Sequence, residues 1–287
     1  MGVQHDITQL ARRTARRLLS GAGSADVTAY HIDRWTAVFV AHTLLDDGRI
    51  LVTCPPSDAA IAQVAAQTPV DVRLDVALDA AEPGVQITVA SAHLLGSLEW
   101  LEADAAQRVL ASAQTPACHC AITGENPLER LAEVAGLEGS RVGLIRTGRV
   151  VLHSPTGVSG HLMVELIDVE ADEAAPLWSA VDDLVAHDGV AGVGLFGLHA
   201  ICDAVQSGAV PGWVLSSRPT MGICPSLWGE VLCADVDGYG ATLMQIGTDE
   251  VVTLLVAFPQ GPVAAHEVGP LLDDLAATLL PERLARP

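Results

Sequence analysis

The chain has 287 residues, half of them hydrophobic, and a formal net charge of −20. Its 15 lysine-or-arginine positions are all arginine, which excludes every mechanism that needs a catalytic lysine or a lysine Schiff base. The negative field repels nucleic-acid phosphates and anionic lipids, so we expect no nucleic-acid partner. No uninterrupted apolar run of about 18 residues is present, so we expect no membrane span. The N-terminal residues lack the long apolar block of a secretory signal, so we expect a cytoplasmic location.

The N-terminal segment, residues 1–24, is predicted to form an amphipathic helix. Apolar residues such as Leu10 and Leu18 recur along one side at helical spacing. The other side carries four cations: Arg12, Arg13, Arg16 and Arg17. This side is either a solvated helix face or a contact with a second subunit or an anion.

The first strand signals form a hairpin. The apolar run Thr36–Leu45 ends at Asp47-Gly48, a pair that favours the positive φ angles of a two-residue turn. Arg49–Thr53 then returns as the partner strand. The hairpin therefore places the start of Arg49–Thr53 beside the end of Thr36–Leu45.

A short helix and an alternating strand follow this hairpin. Ser57 is placed to offer its hydroxyl to the free N–H groups of a helix over Asp58–Ala66. After Pro69, apolar and polar residues alternate from Val70 to Val76, which is the period of a strand with one buried face.

Strand signals dominate as far as about Asp168. Four further strands are predicted at Gln86–His93, Arg141–Arg146, Arg149–His153 and His161–Asp168. Thr147-Gly148 would join the second of these to the third as a hairpin turn. Helices are predicted at Asp104–Gln114 and Pro127–Ala135. Several strands with few helices indicate a small closed barrel over residues 25–170.

An acidic, alanine-rich stretch around Glu170–Pro176 predicts a domain boundary. Helices and strands of a compact α+β domain over residues 176–284 follow. The predicted helices are Leu177–His187, Gly192–Val205 and Ala264–Leu280, and the predicted strands are Leu227–Ala234, Ala241–Gly247 and Val251–Phe258.

The succession of hairpin, helix and strand between Thr36 and Val76 resembles the core of the split-barrel flavin-binding family, the pyridoxamine-phosphate-oxidase-like fold. The second region is similar to the small C-terminal domain of bacterial haem-utilisation proteins and their plastid relatives. The similar parts are a helix ending in histidine (Asp182–His187), the DVDGYG stretch (Asp235–Gly240) and the VVTLLVAFP strand. That family usually carries a second histidine four residues after the first, where this chain has Ala191. The resemblance implies an α+β protein, a split β-barrel followed by a smaller α+β domain, that forms a homodimer.

The resemblance also implies a site for the phosphate of FMN after the hairpin. Thr53 and Ser57 match the family's hydroxyl positions, but Ala59 stands where the family places a cation. Arg49 and Arg73 are the candidate substitutes. Because a phosphate dianion needs charged donors when it leaves water, we expect FMN to bind weakly or not at all. An FMN-dependent oxidoreductase stays open as an alternative function.

A haem site needs an apolar slot, an axial ligand and basic groups for the propionates. His93 is a candidate iron ligand because it continues an otherwise apolar strand face that begins at Val85. His161 is a second candidate because it follows the glycine-rich stretch Gly157–Gly160 and could point into a cleft. At each position the alternative is an ordinary hydrogen-bonded histidine. The resemblance implies a haem- or tetrapyrrole-associated binding protein and, if it is an enzyme, an oxygen-dependent haem-degrading oxidoreductase.

The cysteines and catalytic motifs give a different alternative. Cys118-His119-Cys120 has no second cysteine pair to complete a zinc site. Cys54-Pro55 and Cys224-Pro225 resemble haem-sensing motifs in which a thiolate binds iron.

The sequence has no glycine-rich phosphate loop, no Gly-x-Ser-x-Gly motif and no His-Glu-x-x-His motif. Because a fold has no activity without a site, a non-catalytic dimer that regulates or scaffolds a partner enzyme is the rival prediction.

Overall fold

The structure is a computed structural model that describes residues 2–32, 36–82, 85–113, 127–168, 178, 180–259 and 261–284. The chain divides into two compact units. Described residues up to Leu78 and from Ala90 to Asp168 form the first unit, and those of Asp79–Val89 and from Trp178 onward form the second. The predicted domain bounds, 25–170 and 176–284, did not anticipate that residues 79–89 group with the second unit.

The first unit is built from strands with helices packed against them. Its described elements are α1 (Gly2–Leu19), β1 (Ser24–Ala29), β2 (Ala37–Leu44), β3 (Ile50–Cys54), β4 (Val70–Asp79), β5 (Thr88–Trp100), α2 (Ala103–Ser112), α3 (Pro127–Ala135), β6 (Arg141–Arg146), β7 (Arg149–Ser154), β8 (Gly157–Leu162) and α4 (Met163–Ile167).

Six of these strands close into a barrel. They run in the order β4-β1-β2-β3-β6-β5, and β5 pairs back to β4. Val72, Leu74 and Val76 of β4 fill the interior, while Arg73 and Asp75 between them face outward. The predicted fold class, an α+β protein with a split β-barrel and a further domain, is confirmed.

The barrel is split where β6 continues into β7. Ser97 of β5 lies opposite Arg146, and Leu94 lies opposite Val150. Between these two pairs β5 has two residues, whereas the chain from β6 to β7 has three, among them Thr147 and Gly148. This is a β-bulge, so the predicted hairpin at Thr147-Gly148 is wrong. On the other side, β6 pairs with β3, whereas β7 pairs with β8. The barrel therefore opens into a β5–β7–β8 extension.

Helices cover two parts of the first unit. The apolar side of α1, which includes the buried Ala15 and Leu18, packs into the barrel core and confirms the predicted amphipathic helix. Helices α2 and α3 cover the outer side of the barrel, where Leu131 of α3 joins Leu51 and Leu144 in a separate apolar cluster. In both places the helices shield apolar residues of the strands from water.

Two predicted elements of this unit differ in the structure. The helix expected at Asp58–Ala66 is a short 3-10 helix, Ala60–Gln63. The strand expected at His161–Asp168 is β8, which starts earlier because a two-residue turn places Ser154 opposite Gly157. The chain after β8 forms α4, whose Met163 and Leu166 are buried at helical spacing.

The second unit is a four-stranded antiparallel sheet with helices. Its strand order is β10-β11-β12-β9. The described elements are α5 (Ala180–Gly192), α6 (Gly194–Gln206), β9 (Gly212–Pro219), β10 (Val231–Asp237), β11 (Gly240–Ile246), β12 (Glu250–Ala257) and α7 (Val268–Leu284). Strand β9 was not predicted; it lies at the edge of the sheet, where Pro219 is tolerated in a strand.

Residues Asp79–Val89 group with this second unit although they join two barrel strands. Val85 and Ile87 pack in an apolar cluster with residues of the second sheet. The Glu82 carboxylate accepts a hydrogen bond from the Cys233 backbone N–H at 2.6 Å. These contacts account for the apolar residues that precede His93 in the sequence.

No single described helix is long and apolar enough to cross a membrane. Helices α5 and α6 would together match a span by length and composition alone. Their axes, however, bend by 91° at the break between Gly192 and Gly194.

Candidate functional site

The outward side of the β5–β7–β8 extension carries the candidate site. Ser91 of β5 lies opposite His153 of β7, and His93 lies opposite Val151. Val151 in turn lies opposite Gly160 of β8. Directly opposite residues of an antiparallel pair share a face. These side chains therefore point the same way, away from the barrel interior.

The His93 ring is held by hydrogen bonds on both sides. Its Nδ1–H donates to Asp75 Oδ1 at 2.5 Å, since a carboxylate can only accept. Arg73 donates from Nε to the other oxygen of Asp75 at 2.6 Å. In the neutral ring Nε2 is then an acceptor, and it lies 3.2 Å from Ser91 Oγ. The His93 side chain is 42% exposed, and its ring centroid lies 5.2 Å from that of His153.

Exposed apolar side chains surround the two histidines. Leu95, Val158 and Leu162 are 64%, 68% and 50% exposed. The Arg149 guanidinium extends over Gly160, where an added Cβ would be 2.6 Å from its Nη2. We refer to the set as the β5–β7–β8 face, which comprises Ser91, His93, Leu95, Arg149, His153, Val158 and Leu162.

His161 lies on the opposite side of the same strands. It is buried, and its Nε2 is 2.8 Å from Ser159 Oγ. Burial lowers the pKa of His161; Glu165 opposes this and Arg12 of α1 adds to it. Burial thus favours the uncharged ring. The ring lies on the side of the sheet against which α1 packs. The structure does not bring His161 and His93 together.

The two arginines proposed to neutralise the FMN phosphate are each paired and lie apart. Arg49 Nη2 is 2.6 Å from Asp47 Oδ2, and this pairing holds the pKa of Asp47 below its ordinary value. Arg73 is paired with Asp75. Two strands separate β4 from β3 in either direction around the six-stranded barrel, so the two arginine-bearing regions lie on opposite sides of it.

The two hydroxyls proposed for the same phosphate are also engaged or enclosed. Thr53 is fully buried, and its Oγ1 has no hydrogen-bond partner among the described residues. Ser57 Oγ accepts the N–H of Ala59 at 3.2 Å. The described structure thus gathers no FMN-phosphate pocket from Arg49, Thr53, Ser57 and Arg73.

A pocket of about 200 Å³ lies beside Arg49. Asp47, Leu45, Val109 and Leu128 line it as well. Sites for drug-sized ligands usually have about 300–1,000 Å³, so this pocket is too small for a flavin.

FMN is therefore expected to bind with a dissociation constant no tighter than about 10 μM, roughly −7 kcal/mol. Quenching of FMN fluorescence on titration with the protein measures this dissociation constant. Riboflavin, which lacks the phosphate, is the matched control and should bind equally weakly. Submicromolar FMN binding with much weaker riboflavin binding would show that the chain has a phosphate site, and that it lies elsewhere than at these four residues.

The cysteine motifs differ from each other in the structure. Cys54 is buried, its thiol donates to the Pro55 carbonyl oxygen at 3.2 Å, and burial raises its pKa to about 11. Cys224 is exposed, and hydrogen bonding to Ser226 lowers its pKa. Cys118-His119-Cys120 lies outside the described residues. No group of three His, Cys, Asp or Glu side chains in the described part of the chain could hold a metal ion.

Sequence reasoning named His93 but missed the residues that complete its surroundings. It placed His93 on an apolar face, yet in β5 the barrel-facing residues are Ala92 and Leu94, and His93 points outward. Asp75 and His153 reach His93 only through strand pairing. One signal in the sequence could have found Asp75: the alternation of apolar and polar residues along β4 puts it on the outward, polar side of its strand.

Comparisons with known proteins complete these observations. The sequence matches no protein-family model and no curated protein. A haem-binding protein from Mycobacterium smegmatis is 17% identical over 93% of this chain and 98% of that chain, with a TM-score of 0.49. A protein of unknown function from Agrobacterium tumefaciens is 12% identical over 93% of this chain and 94% of that chain, with a TM-score of 0.33. Both TM-scores lie below 0.5, so the site assignment rests on the geometry of this chain alone.

Proposed function

We propose that the first unit binds haem or a related metallotetrapyrrole on the β5–β7–β8 face, with His93 as the axial ligand. The hydrogen bond from His93 Nδ1 to Asp75 is the observation that carries this proposal. A carboxylate that accepts from one ring nitrogen fixes the tautomer, orients the ring and raises the basicity of the other nitrogen. Nε2 is therefore the atom suited to bind iron.

The surroundings of His93 fit the other needs of a tetrapyrrole. Its macrocycle is a flat apolar surface, and Leu95 and Val158 offer exposed apolar side chains on the same face. Its propionates need a cation, which Arg149 supplies from the neighbouring strand.

Titration of the purified protein with ferric haemin tests the proposal. We expect a shifted Soret band that saturates at one haemin per chain, and loss of that shift in His93→Ala. Asp75→Asn should weaken haemin binding about 10- to 100-fold, because the amide no longer accepts as a carboxylate does. His161→Ala is the matched control and should bind like the wild type, since His161 lies on the other side of the sheet.

Two results would contradict the proposal. A free-haemin spectrum at stoichiometric protein would rule out binding. A shift that persists in His93→Ala and disappears in His161→Ala would assign the ligand to His161 instead.

The edge of the sheet supports the second candidate, a homodimeric regulator or scaffold. In the described structure β8 pairs only with β7, and its Val158 and Leu162 are exposed. An unpaired edge strand offers its N–H and C=O groups to another chain. Sedimentation should then show a mass twice 29.8 kDa in colourless, haem-free protein; a mass of 29.8 kDa would rule out the dimer.

A further inference from the structure

We propose that Ser91 is an activated nucleophile and that the β5–β7–β8 face hydrolyses small activated esters through a Ser91 acyl intermediate. Ser91 Oγ is 3.2 Å from His93 Nε2, and His93 Nδ1 is 2.5 Å from Asp75 Oδ1. A nucleophile, a base and an acid that orients the base thus follow one another in hydrogen-bond contact. This activity needs no metal, and it belongs to the haem-free protein, because iron bound at His93 Nε2 would occupy the lone pair that accepts the Ser91 proton.

The chain of groups is held on rigid elements. Ser91 and His93 are two residues apart on β5, so both side chains leave the same face of one strand. Asp75 lies on the adjacent strand β4, and Arg73 fixes its second oxygen at 2.6 Å. Groups on paired strands keep their geometry better than groups on loops. The Ser91–His93 distance of 3.2 Å lies within the reach a general base needs.

His153 is placed to stabilise the negative oxygen that forms during attack. It lies directly opposite Ser91 in the β5–β7 register. Opposite side chains have Cβ atoms about 5 Å apart, so the His153 side chain lies beside Ser91, where a donor to the carbonyl oxygen is needed. Its ring and the His93 ring are nearly perpendicular, at an interplanar angle of 80°, and Ser91 Oγ contacts His93 Nε2.

The neighbouring side chains define the substrate class. Leu95 follows His93 on the outward side of β5, and Val158 lies opposite His153 on β8. Both are exposed and form a shallow apolar surface. Such a surface suits short acyl groups and aryl leaving groups.

The reaction proceeds in two steps. Ser91 Oγ attacks the ester carbonyl carbon while its proton passes to His93 Nε2. The tetrahedral intermediate then breaks its bond to the leaving oxygen, which takes the proton from His93 and departs as the alcohol or phenol. Water attacks the Ser91 ester, His93 accepts the water proton and returns it to Ser91 Oγ, and the carboxylic acid is released.

A fluorophosphonate probe and p-nitrophenyl acetate test this proposal on the haem-free full chain. Ser91 attack on the probe forms a phosphorus–oxygen bond and expels fluoride, so mass spectrometry should find one phosphonyl group per chain, on the peptide that contains Ser91. Ser91→Ala should abolish labelling and the p-nitrophenol burst. Asp75→Asn should slow both about 100-fold, the size of a general-base contribution, while circular dichroism shows an intact fold.

Ser97→Ala is the matched control. Ser97 lies on the same strand, opposite Arg146 and beyond the His93 contacts, so this variant should label at the wild-type rate. No label, or labelling that persists in Ser91→Ala, would overturn the proposal. Haemin titration of the wild-type chain involves no labelling of Ser91, so the two proposals fail separately.

Discussion

Replacing Gly189 with alanine is expected to lower the free energy of unfolding of the second unit by about 3 kcal/mol. Helices α5 and α7 meet backbone to backbone at this residue. An added Cβ on Gly189 would be 2.9 Å from the Gly269 nitrogen and 3.1 Å from its Cα. Both atoms belong to a helix backbone and cannot rotate away as a side chain could. The helices would have to separate.

The direction of the change in the free energy of unfolding shows whether the two helices cross this closely. In a helix, alanine is more favourable than glycine by about 1 kcal/mol, so without the close crossing the substitution would stabilise the protein. Gly192→Ala is the matched control, because Gly192 ends the same helix and an added Cβ meets nothing within 4 Å. Urea unfolding followed by circular dichroism measures both variants. A Gly189→Ala variant as stable as Gly192→Ala would contradict the crossing.

The sequence predicted the elements whose signal is local. The alternation in β4 placed Val72 and Leu74 inside the barrel and Arg73 outside, as observed. The amphipathic pattern of α1 placed Leu18 in the core. In both cases the buried face follows from the spacing of apolar residues along one segment.

The errors arose where a distant strand decides the structure. Thr147-Gly148 has the composition of a turn, but the chain continues along β5, and Thr147 Oγ1 donates to the Leu95 carbonyl oxygen at 2.8 Å. A residue pair of this composition suits a bulge as well as a turn, and only the partner strand distinguishes them. The predicted hairpin therefore had no local feature that could have corrected it.

The candidate site was only partly predictable for the same reason. His93 was identified as a single histidine on a strand, without its partners. Asp75 is 18 positions away and reaches His93 through the pairing of β4 with β5. His153 reaches Ser91 only because the bulge shifts the register of β7 by one residue. The sequence shows which residue types are present, but it does not show which of them are in contact.

Acidification from pH 7 to pH 4 is expected to destabilise the first unit through His42. This side chain points into the barrel from β2 and is 4% exposed. Its Nε2–H donates at 2.6 Å to the carbonyl oxygen of Leu18, in the last turn of α1, where carbonyls have no partner within the helix. Burial is the main cause that lowers the pKa of His42 to about 4; the Leu18 bond opposes it, and Arg130 adds to it.

The direction of the effect follows from proton uptake. In the unfolded chain His42 takes up a proton near its ordinary pKa of 6.5, whereas in the folded protein it does so only near 4. Between these values the unfolded state binds more protons, so stability falls as the pH falls through this window. Each pH unit is worth about 1.4 kcal/mol, which gives a total loss of roughly 3 kcal/mol by pH 4. Above pH 6.5 the group contributes no pH dependence.

His42→Gln tests this origin, because a glutamine amide can still donate to Leu18 but does not titrate. Urea unfolding at pH 7 and at pH 4.5 should show a loss of stability in the wild type that exceeds the loss in His42→Gln by roughly 2–3 kcal/mol. Comparing the two proteins removes the contribution of carboxylates such as Asp47, which both share. His31→Gln is the matched control, since His31 is exposed, and it should follow the wild type. If His42→Gln and the wild type lose stability equally, His42 is not the group that makes the barrel sensitive to acid.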